Sequence, residues 1–381
     1  MGQTIIGLND AKAVKRYSGF LAVDVPRISY FGRKYMGDGA DSSMPIQRLT
    51  QLESEAGEQI TYDLSMAMRM QPVEGDNTLE GKEEDLRFFT DSVYIDQMRC
   101  GVNTGGKMTR KRTLHDLRKI ARKRQSEHWA RIFDEVFFMY GSGARGGGHT
   151  DYVFPTTYTG FANNSFSAPD TNHHYFANQA ESLGTVLAAS LTAANGTVYS
   201  PAVNDFEYLA AYIMTIGGGT SGVPAMSPIK VEGEDHYVAI LSPWGAFNLR
   251  TQASTGQWLD IQKSLATAVG KESNILKGGE GMINNIVIHK HQGVIQLTTA
   301  DTWNSSTFGG NSARGLVLGQ QAMVCAFGSP GSGLRFDWHE EDRDNGNQAI
   351  ITTSAIFGVK KCTFNSLDFG VIAFDYYDPR P

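Results

Sequence analysis

Only three cysteines, Cys100, Cys325 and Cys362, occur in 381 residues, and no two lie close in sequence. A disulfide framework wants an even number, and a zinc centre wants Cys-x-x-Cys or Cys/His pairs, so these read as free thiols. No apolar run reaches the roughly 18 residues of a membrane span. The opening stretch MGQTIIGLNDAKAVKRY lacks the ordered basic, apolar and small-residue zones of a secretory signal, so a reducing cytosol is the expected setting. A strong net charge is lacking too: 19% charged residues is ordinary, and a net of -6 leaves no whole-chain attraction to nucleic acid or acidic membranes. Internal repeats and long low-complexity tracts are missing. Forty-two glycines are the one excess, clustered in turns.

Motifs of catalysis and cofactor binding are equally thin. Gly141-x-Gly143-x-x-Gly146 has dinucleotide-binding spacing, but it follows a predicted helix and opens none, so a phosphate would have no helix N-terminus to sit on. His289 and His291 share a strand face and His173 adjoins His174, yet nothing nominates a third metal ligand; ordinary surface or edge histidines are expected. Glu340, Glu341, Asp342 and Asp344 invite a calcium loop, but Arg343 stands where an oxygen ligand is needed, and a solvated hairpin end is expected instead. No Gly-x-Ser-x-Gly elbow or His-Glu-x-x-His occurs. A glycosidase would want paired carboxylates in a cleft, and the aromatic, Asn/Gly-rich stretch Tyr152 to Phe176 is flanked or entered only by Asp151 and Asp170. No catalytic, cofactor-binding or metal-ligating residue is therefore nominated, and the chain is not expected to be an enzyme.

What the chain does have is a strict alternation. From Gln59, residues Ile60, Tyr62, Leu64, Met66, Met68 and Met70 share one parity, which predicts a strand with one apolar face. A second extended run, Leu86 to Val102, comes back after an acidic turn. A lone two-stranded hairpin is marginal in water, so those six side chains need a cover from elsewhere.

Residues 1–51 are poorly periodic, with Pro26 and Pro45, and read as an extended arm; residues 52–106 are the hairpin and its base. Residues 107–141 hold the strongest helix. Gaps of three and four among Leu114, Leu117, Ile120, Ala121, Trp129, Ile132, Phe133, Val136, Phe137 and Tyr140 predict one rod from Thr109 to Tyr140. At 1.5 Å per residue it would be roughly 45 Å long. Residues 142–335 are mixed and begin with a Gly/Asn-rich insertion, 142–203. Helical pieces are predicted near Glu181 to Leu191 and after a cap at Asn204 or Asp205, where Phe206, Leu209, Ala210 and Ile213 share a face. HYVAILSP and INNIVIHKH read as buried strands. Residues 336–381 are β-rich, with Asn345-Gly346 between two strand arms and FGVIAFDYYD at the close. The class is α+β, with helices and strands segregated.

Charge is placed unevenly. The hairpin tip carries six acids, Glu74, Asp76, Glu80, Glu83, Glu84 and Asp85, against Lys82 alone. The start of the helix carries Lys107, Arg110, Lys111, Arg112, Arg118, Lys119, Arg122, Lys123 and Arg124 against Asp116. Bases at a helix N-terminus oppose its dipole and repel one another, so three readings stand: a merely solvated helix face, acidic groups of a second copy with the hairpin tip as candidate, or a nucleic-acid site.

Arm, hairpin, rod, mixed region and β-rich return, in that order, resemble the major capsid proteins of tailed bacteriophages. The resembling stretches are FGRKYMG, DNTLEGKEEDLRFFTDSVYIDQMRCGV, LHDLRKIARKRQSEHWARIFDE, YVAILSPWGAFNLR and FGVKKCTFNSLDFGVIAFDYYDP. The resemblance is greatest to the podophages that carry a virion RNA polymerase. It implies the Hong Kong 97-like capsid fold: N-terminal arm, extended β-hairpin loop, spine helix of a peripheral domain, an axial domain over 142–335, and a return of 336–381 to the peripheral domain. It also implies self-assembly as hexamers and pentamers into an icosahedral head around double-stranded DNA. Partners would be a portal protein at one vertex, scaffolding and decoration proteins, and packaged DNA, with no membrane. The arm has no added scaffold domain ahead of it, so a separate scaffolding protein is expected if one is used. Some relatives crosslink a lysine to an asparagine; Lys82 has no matched partner, and that chemistry is not carried over. An encapsulin-like nanocompartment shell, a tail-associated carbohydrate-active enzyme and a decoration protein are the alternatives. On the capsid reading the hairpin's apolar face is covered by the next subunit, its six side chains gaining at most on the order of 10 kcal/mol before the cost of ordering the loop.

Overall fold

A computed structural model describes residues 11–39, 42–53, 57–65, 70–86, 88–177, 199–215, 225–268, 273–298, 301–303, 306–307, 311–329 and 335–378. The predicted helical piece Glu181 to Leu191 lies outside them.

The spine helix runs Leu117–Ser142, 26 residues, and Asp116 caps it by accepting the N–H groups of Arg118 and Lys119. The predicted rod is therefore broken. Lys107–Arg112 forms a separate short helix, and Leu114, read as part of the buried stripe, is fully exposed. What remains is roughly 39 Å long at 1.5 Å per residue. Its second half is largely enclosed: Trp129, Phe133, Val136, Phe137, Phe138 and Tyr140 are all buried, while Arg131 stays exposed. The helix ends at Gly143, whose left-handed backbone (φ 71°) lets its N–H reach the Met139 carbonyl at 2.9 Å. The glycine-rich exit is thus a helix stop.

The arm is not extended. Ala11–Ile28 is a helix, followed by a shorter one at Tyr30–Lys34. Leu21, Val25 and Phe31 are buried in the main core, with Phe31 against Phe137 and Phe138. The turn between the two helices is held by the spine. Asp134 accepts bonds from the Ser29 hydroxyl (2.7 Å) and the N–H groups of Tyr30 (2.9 Å) and Phe31 (3.1 Å). Pro26 and two glycines obscure the helical period in the sequence, and a carboxylate from about a hundred residues away supplies the cap.

Two sheets flank the spine. The first is built on Gln348–Lys361, which pairs antiparallel with Phe336–Arg343, Asp96–Gly106 and Met323–Gly328. Ile46–Leu49 and Met36–Asp38 extend it in parallel beyond Met323–Gly328. The loop of four residues between Arg343 and Gln348 takes positive φ at Asn345 and Gly346, as the Asn-Gly signal predicts, and at Asp344 as well. Spine side chains lie on this sheet: Trp129 Nε1 donates to Thr353 Oγ1 (2.9 Å), Gln125 Nε2 to the Ile351 carbonyl (3.1 Å), and Phe133 stacks on Phe357.

The second sheet has the order Gly281–Ile283, Ile286–Lys290, Glu234–Leu241, Ser312–Leu318, Val371–Tyr377, His174–Phe176. Its central strands are buried on both faces. Val238 and Ile240 join the spine-side core, while Tyr237, Ala239 and Leu241 join a second core. That second core also holds Phe206, Leu209, Ala210 and Ile213 of the helix Val203–Thr215. The chain's last strand therefore sits in the second sheet, so 336–381 is shared between the two layers. Among the described residues no helix is long and apolar enough to cross a membrane.

Candidate assembly surfaces

The predicted hairpin forms a two-stranded ribbon, Gln59–Ser65 against Phe88–Tyr94 in antiparallel register. Its returning arm changes partner at Ile95: the next strand, Asp96–Gly106, leaves the ribbon for the first sheet. The ribbon base is covered by its own subunit, which corrects the expectation of a neighbour there. Ile60 is 5% exposed and packs among Leu49, Leu52, Val93, Val324, Cys362, Phe364 and Phe369. Tyr62 packs on Phe364 and donates to Asp91 (3.0 Å). Asp91 also takes the Lys360 ammonium and the Thr363 hydroxyl. Alternation shows that a face is apolar, not which surface meets it. Burial, then the Asp91 carboxylate, pushes the Cys362 thiol up to about 12, leaving it inert as a nucleophile.

A second clamp was not legible in sequence. Inside the Gly/Asn-rich insertion, Gly160–Phe161 pairs with Asn164–Ser165 around a turn at Ala162 and Asn163, both with positive φ. This places Asn164 at the ribbon's bend, where its Oδ1 accepts the Tyr94 N–H (3.1 Å) and its Nδ2 donates to the Tyr94 carbonyl (2.8 Å). Tyr140 of the spine holds the clamp in turn, donating to the Asn164 carbonyl (2.7 Å) and accepting the Phe161 N–H (2.8 Å). Asn163, tolerant of positive φ, was the only available signal. Asn164→Ala removes the partner of two part-buried Tyr94 backbone groups, at a total cost of about 1–3 kcal/mol. The expected result is a lower melting temperature with faster amide exchange at Tyr94. Unchanged exchange there would show that the clamp bears no load.

Beyond its base the ribbon is bare. Glu74, Asp76, Glu80, Glu83 and Asp85 are exposed and have no ion-pair partner among the described residues. Glu84 is half-buried and accepts the Met70 N–H at 2.7 Å. Met70 is half-buried; Met66 and Met68 lie outside the described residues, as does the Leu64 side chain.

The basic segment is partly satisfied by acids of its own subunit, a source the sequence reading did not name. Arg118 pairs with Glu340, Arg122 with Asp24 (2.9 Å), Arg124 with Glu127 (2.8 Å), and Arg110 donates to the Asn347 carbonyl (3.1 Å). Lys119 is 3.8 Å from Asp116, while Lys111, Arg112 and Lys123 have no ion-pair partner among the described residues. Glu340, read as solvated, is buried and also accepts from Trp338 Nε1 (2.9 Å).

Of the four histidines singled out in the sequence, three are core groups and His291 is half-buried. His173, His174 and His289 are buried; His289 bonds the Ile275 carbonyl (2.7 Å), and burial, aided by Lys34, lowers it to about 4. His174 Nε2 lies 2.5 Å from Asp375. Groups of three or more metal-ligating side chains do not occur among the described residues.

Four similarities bear on these surfaces. The profile of a family described as phage capsid protein matches residues 5–379. The chain is 27% identical over 355 residues to the major capsid protein of Pseudomonas phage KPP25, covering 88% of each. The capsid of Ralstonia phage GP4 is similar over 100% of this chain and 99% of its own, at 41% identity and a TM-score of 0.81. The capsid of cyanophage Pam1 shares the fold at 18% identity and a TM-score of 0.65, over 92% and 93% of the two chains.

Proposed function

The chain belongs to the phage capsid protein family, a major capsid protein of Hong Kong 97-like fold that forms the icosahedral head, and on that premise we propose how the head closes. Copies join as hexamers and pentamers, and each ribbon reaches from its anchored base over a neighbouring subunit. The shell encloses double-stranded DNA, meets a portal protein at one vertex, and performs no catalysis. The observation that carries this reading is the contrast along one ribbon. Its base is locked by Ile60, Asp91 and Asn164, while beyond Met70 the ribbon exposes Glu74, Asp76, Glu80, Glu83 and Asp85, which have no ion-pair partner among the described residues, together with Leu79 and Leu86. A rigid root with an uncovered end presents the same patch on every copy, and repeated small contacts add up around closed rings. Assembly is placed in the host cytoplasm. The test is electron microscopy of the purified chain: closed, uniform shells are expected, and a chain that stays monomeric at high concentration and with a co-expressed scaffolding protein would defeat the reading.

A further inference from the structure

The arm helix and the first half of the spine helix diverge around a groove of about 520 Å³, lined by Phe20, Asp24, Ile28, Lys119, Arg122 and Lys123. Its apolar members are exposed, Phe20 at 37% and Ile28 at 51%. Its walls are cationic. Arg122 lies over the Phe20 ring, 4.0 Å from its centroid, and is neutralised by Asp24. Lys123 has no ion-pair partner among the described residues and Lys119 has only a long one, 3.8 Å from Asp116, so both ammonium groups stay exposed at the rim.

We infer that this groove seats the acidic ribbon tip, residues Thr78 to Leu86, of a second copy of the chain. The inference rests on the assembly reading above and adds the landing site. Two kinds of complementarity select the occupant. The tip offers Glu80, Glu83 and Asp85 without ion-pair partners among the described residues, for which the groove supplies ammonium groups. The tip also exposes Leu79 and Leu86, for which Phe20 and Ile28 supply an apolar floor. Nucleic acid would use the lysines, yet a phosphate backbone has no use for exposed Phe20 and Ile28 beneath them. A mixed surface with an apolar centre and a charged rim is the pattern of a protein contact. The arm acquires a role here: the helix pinned by Asp134 forms one wall of the seat, so arm docking and ribbon docking share a surface.

Charge exchange tests this on the full chain. Lys119→Glu with Lys123→Glu, and separately Glu80→Lys with Asp85→Lys, are each expected to cut the yield of closed shells at least tenfold. The subunits should keep the wild-type circular dichroism and melting temperature. Combining all four substitutions is expected to restore yield to within about twofold of wild type. Should a reversed subunit misfold, the neutral pair Lys119→Gln with Lys123→Gln replaces it and is expected to raise the concentration needed for assembly. The inference is overturned if either reversed pair assembles at wild-type yield, or if the fourfold variant does no better than its parents. Normal shells from the lysine reversals with a loss only of packaged DNA would assign the groove to nucleic acid. Failure of the wild-type chain itself to form shells would instead strike the assembly reading.

Discussion

Deleting Gln71 to Glu84 and closing the gap with two glycines is expected to give a soluble, folded subunit that forms no closed shells. The geometry favours a clean deletion. The Met70 N–H lies 2.7 Å from the Glu84 carboxylate, so the cut ends are already neighbours and the ribbon register below them need not shift. None of the exposed tip side chains joins the hydrophobic cores, and the ribbon root keeps Ile60, Val93 and the Asn164 clamp. The melting temperature should therefore move little; removing a long loop slightly lowers the entropy cost of closing the hairpin, by under about 1 kcal/mol. The assembly effect should be all or none, because a modest loss per contact is multiplied over every copy in a ring. Sedimentation and electron microscopy read the two outcomes separately. Intact particles from the deleted chain would make the tip dispensable and remove the basis for placing assembly in the ribbon.

How much of this could be read from residues alone depends on whether the information was local. Period-two alternation after Gln59 located the ribbon, and Asn345-Gly346 located the longest hairpin, because both patterns are written in adjacent residues. The stripe Trp129, Phe133, Val136, Phe137, Tyr140 gave the buried half of the spine. All but one of the errors involve a distant partner, and the exception is the start of the rod. Leu114 continued the apolar spacing, but Asp116 is a better cap than a helix interior residue, so the rod starts late. Leu21, Val25 and Ile28 have helical spacing, but Pro26 and the missing view of Asp134 hid it. Ile60 and Tyr62 looked unpartnered only because Phe364 and Phe369 lie three hundred residues away. Residues such as His174, Asp375 and Arg314 are polar types at core positions, which no hydropathy pattern can reveal.

Arg314→Met is expected to destabilise the subunit by about 3–5 kcal/mol, the cost typical of removing one partner from a buried ion pair. Its guanidinium grips Asp375 through Nε (2.8 Å) and a terminal nitrogen (2.9 Å), and its other terminal nitrogen donates to the Ser142 carbonyl at the end of the spine (3.0 Å). One side chain thus ties the second sheet to the spine's last turn, where a cation also favours the helix dipole. Burial alone would raise the Asp375 carboxyl, but Arg314 first and His174 next outweigh it and hold the group down at about 2. Burial in turn lowers His174 despite the facing carboxylate, so the imidazole is neutral and donates to Asp375. The sign for acid is then fixed. A depressed carboxyl contributes stability that is full above its unfolded value near 3.9 and is lost as pH falls toward 2. Urea unfolding of wild-type subunits should weaken over that window, and Arg314→Met should flatten this part of the profile while lowering the plateau. Replacing all three groups together, with Arg314→Met, Asp375→Leu and His174→Phe, is expected to recover most of the loss, since no charge is then left buried without its partner. A single substitution costing under about 1 kcal/mol would mean that the spine and second sheet are held by packing alone, with the ion pair a passenger.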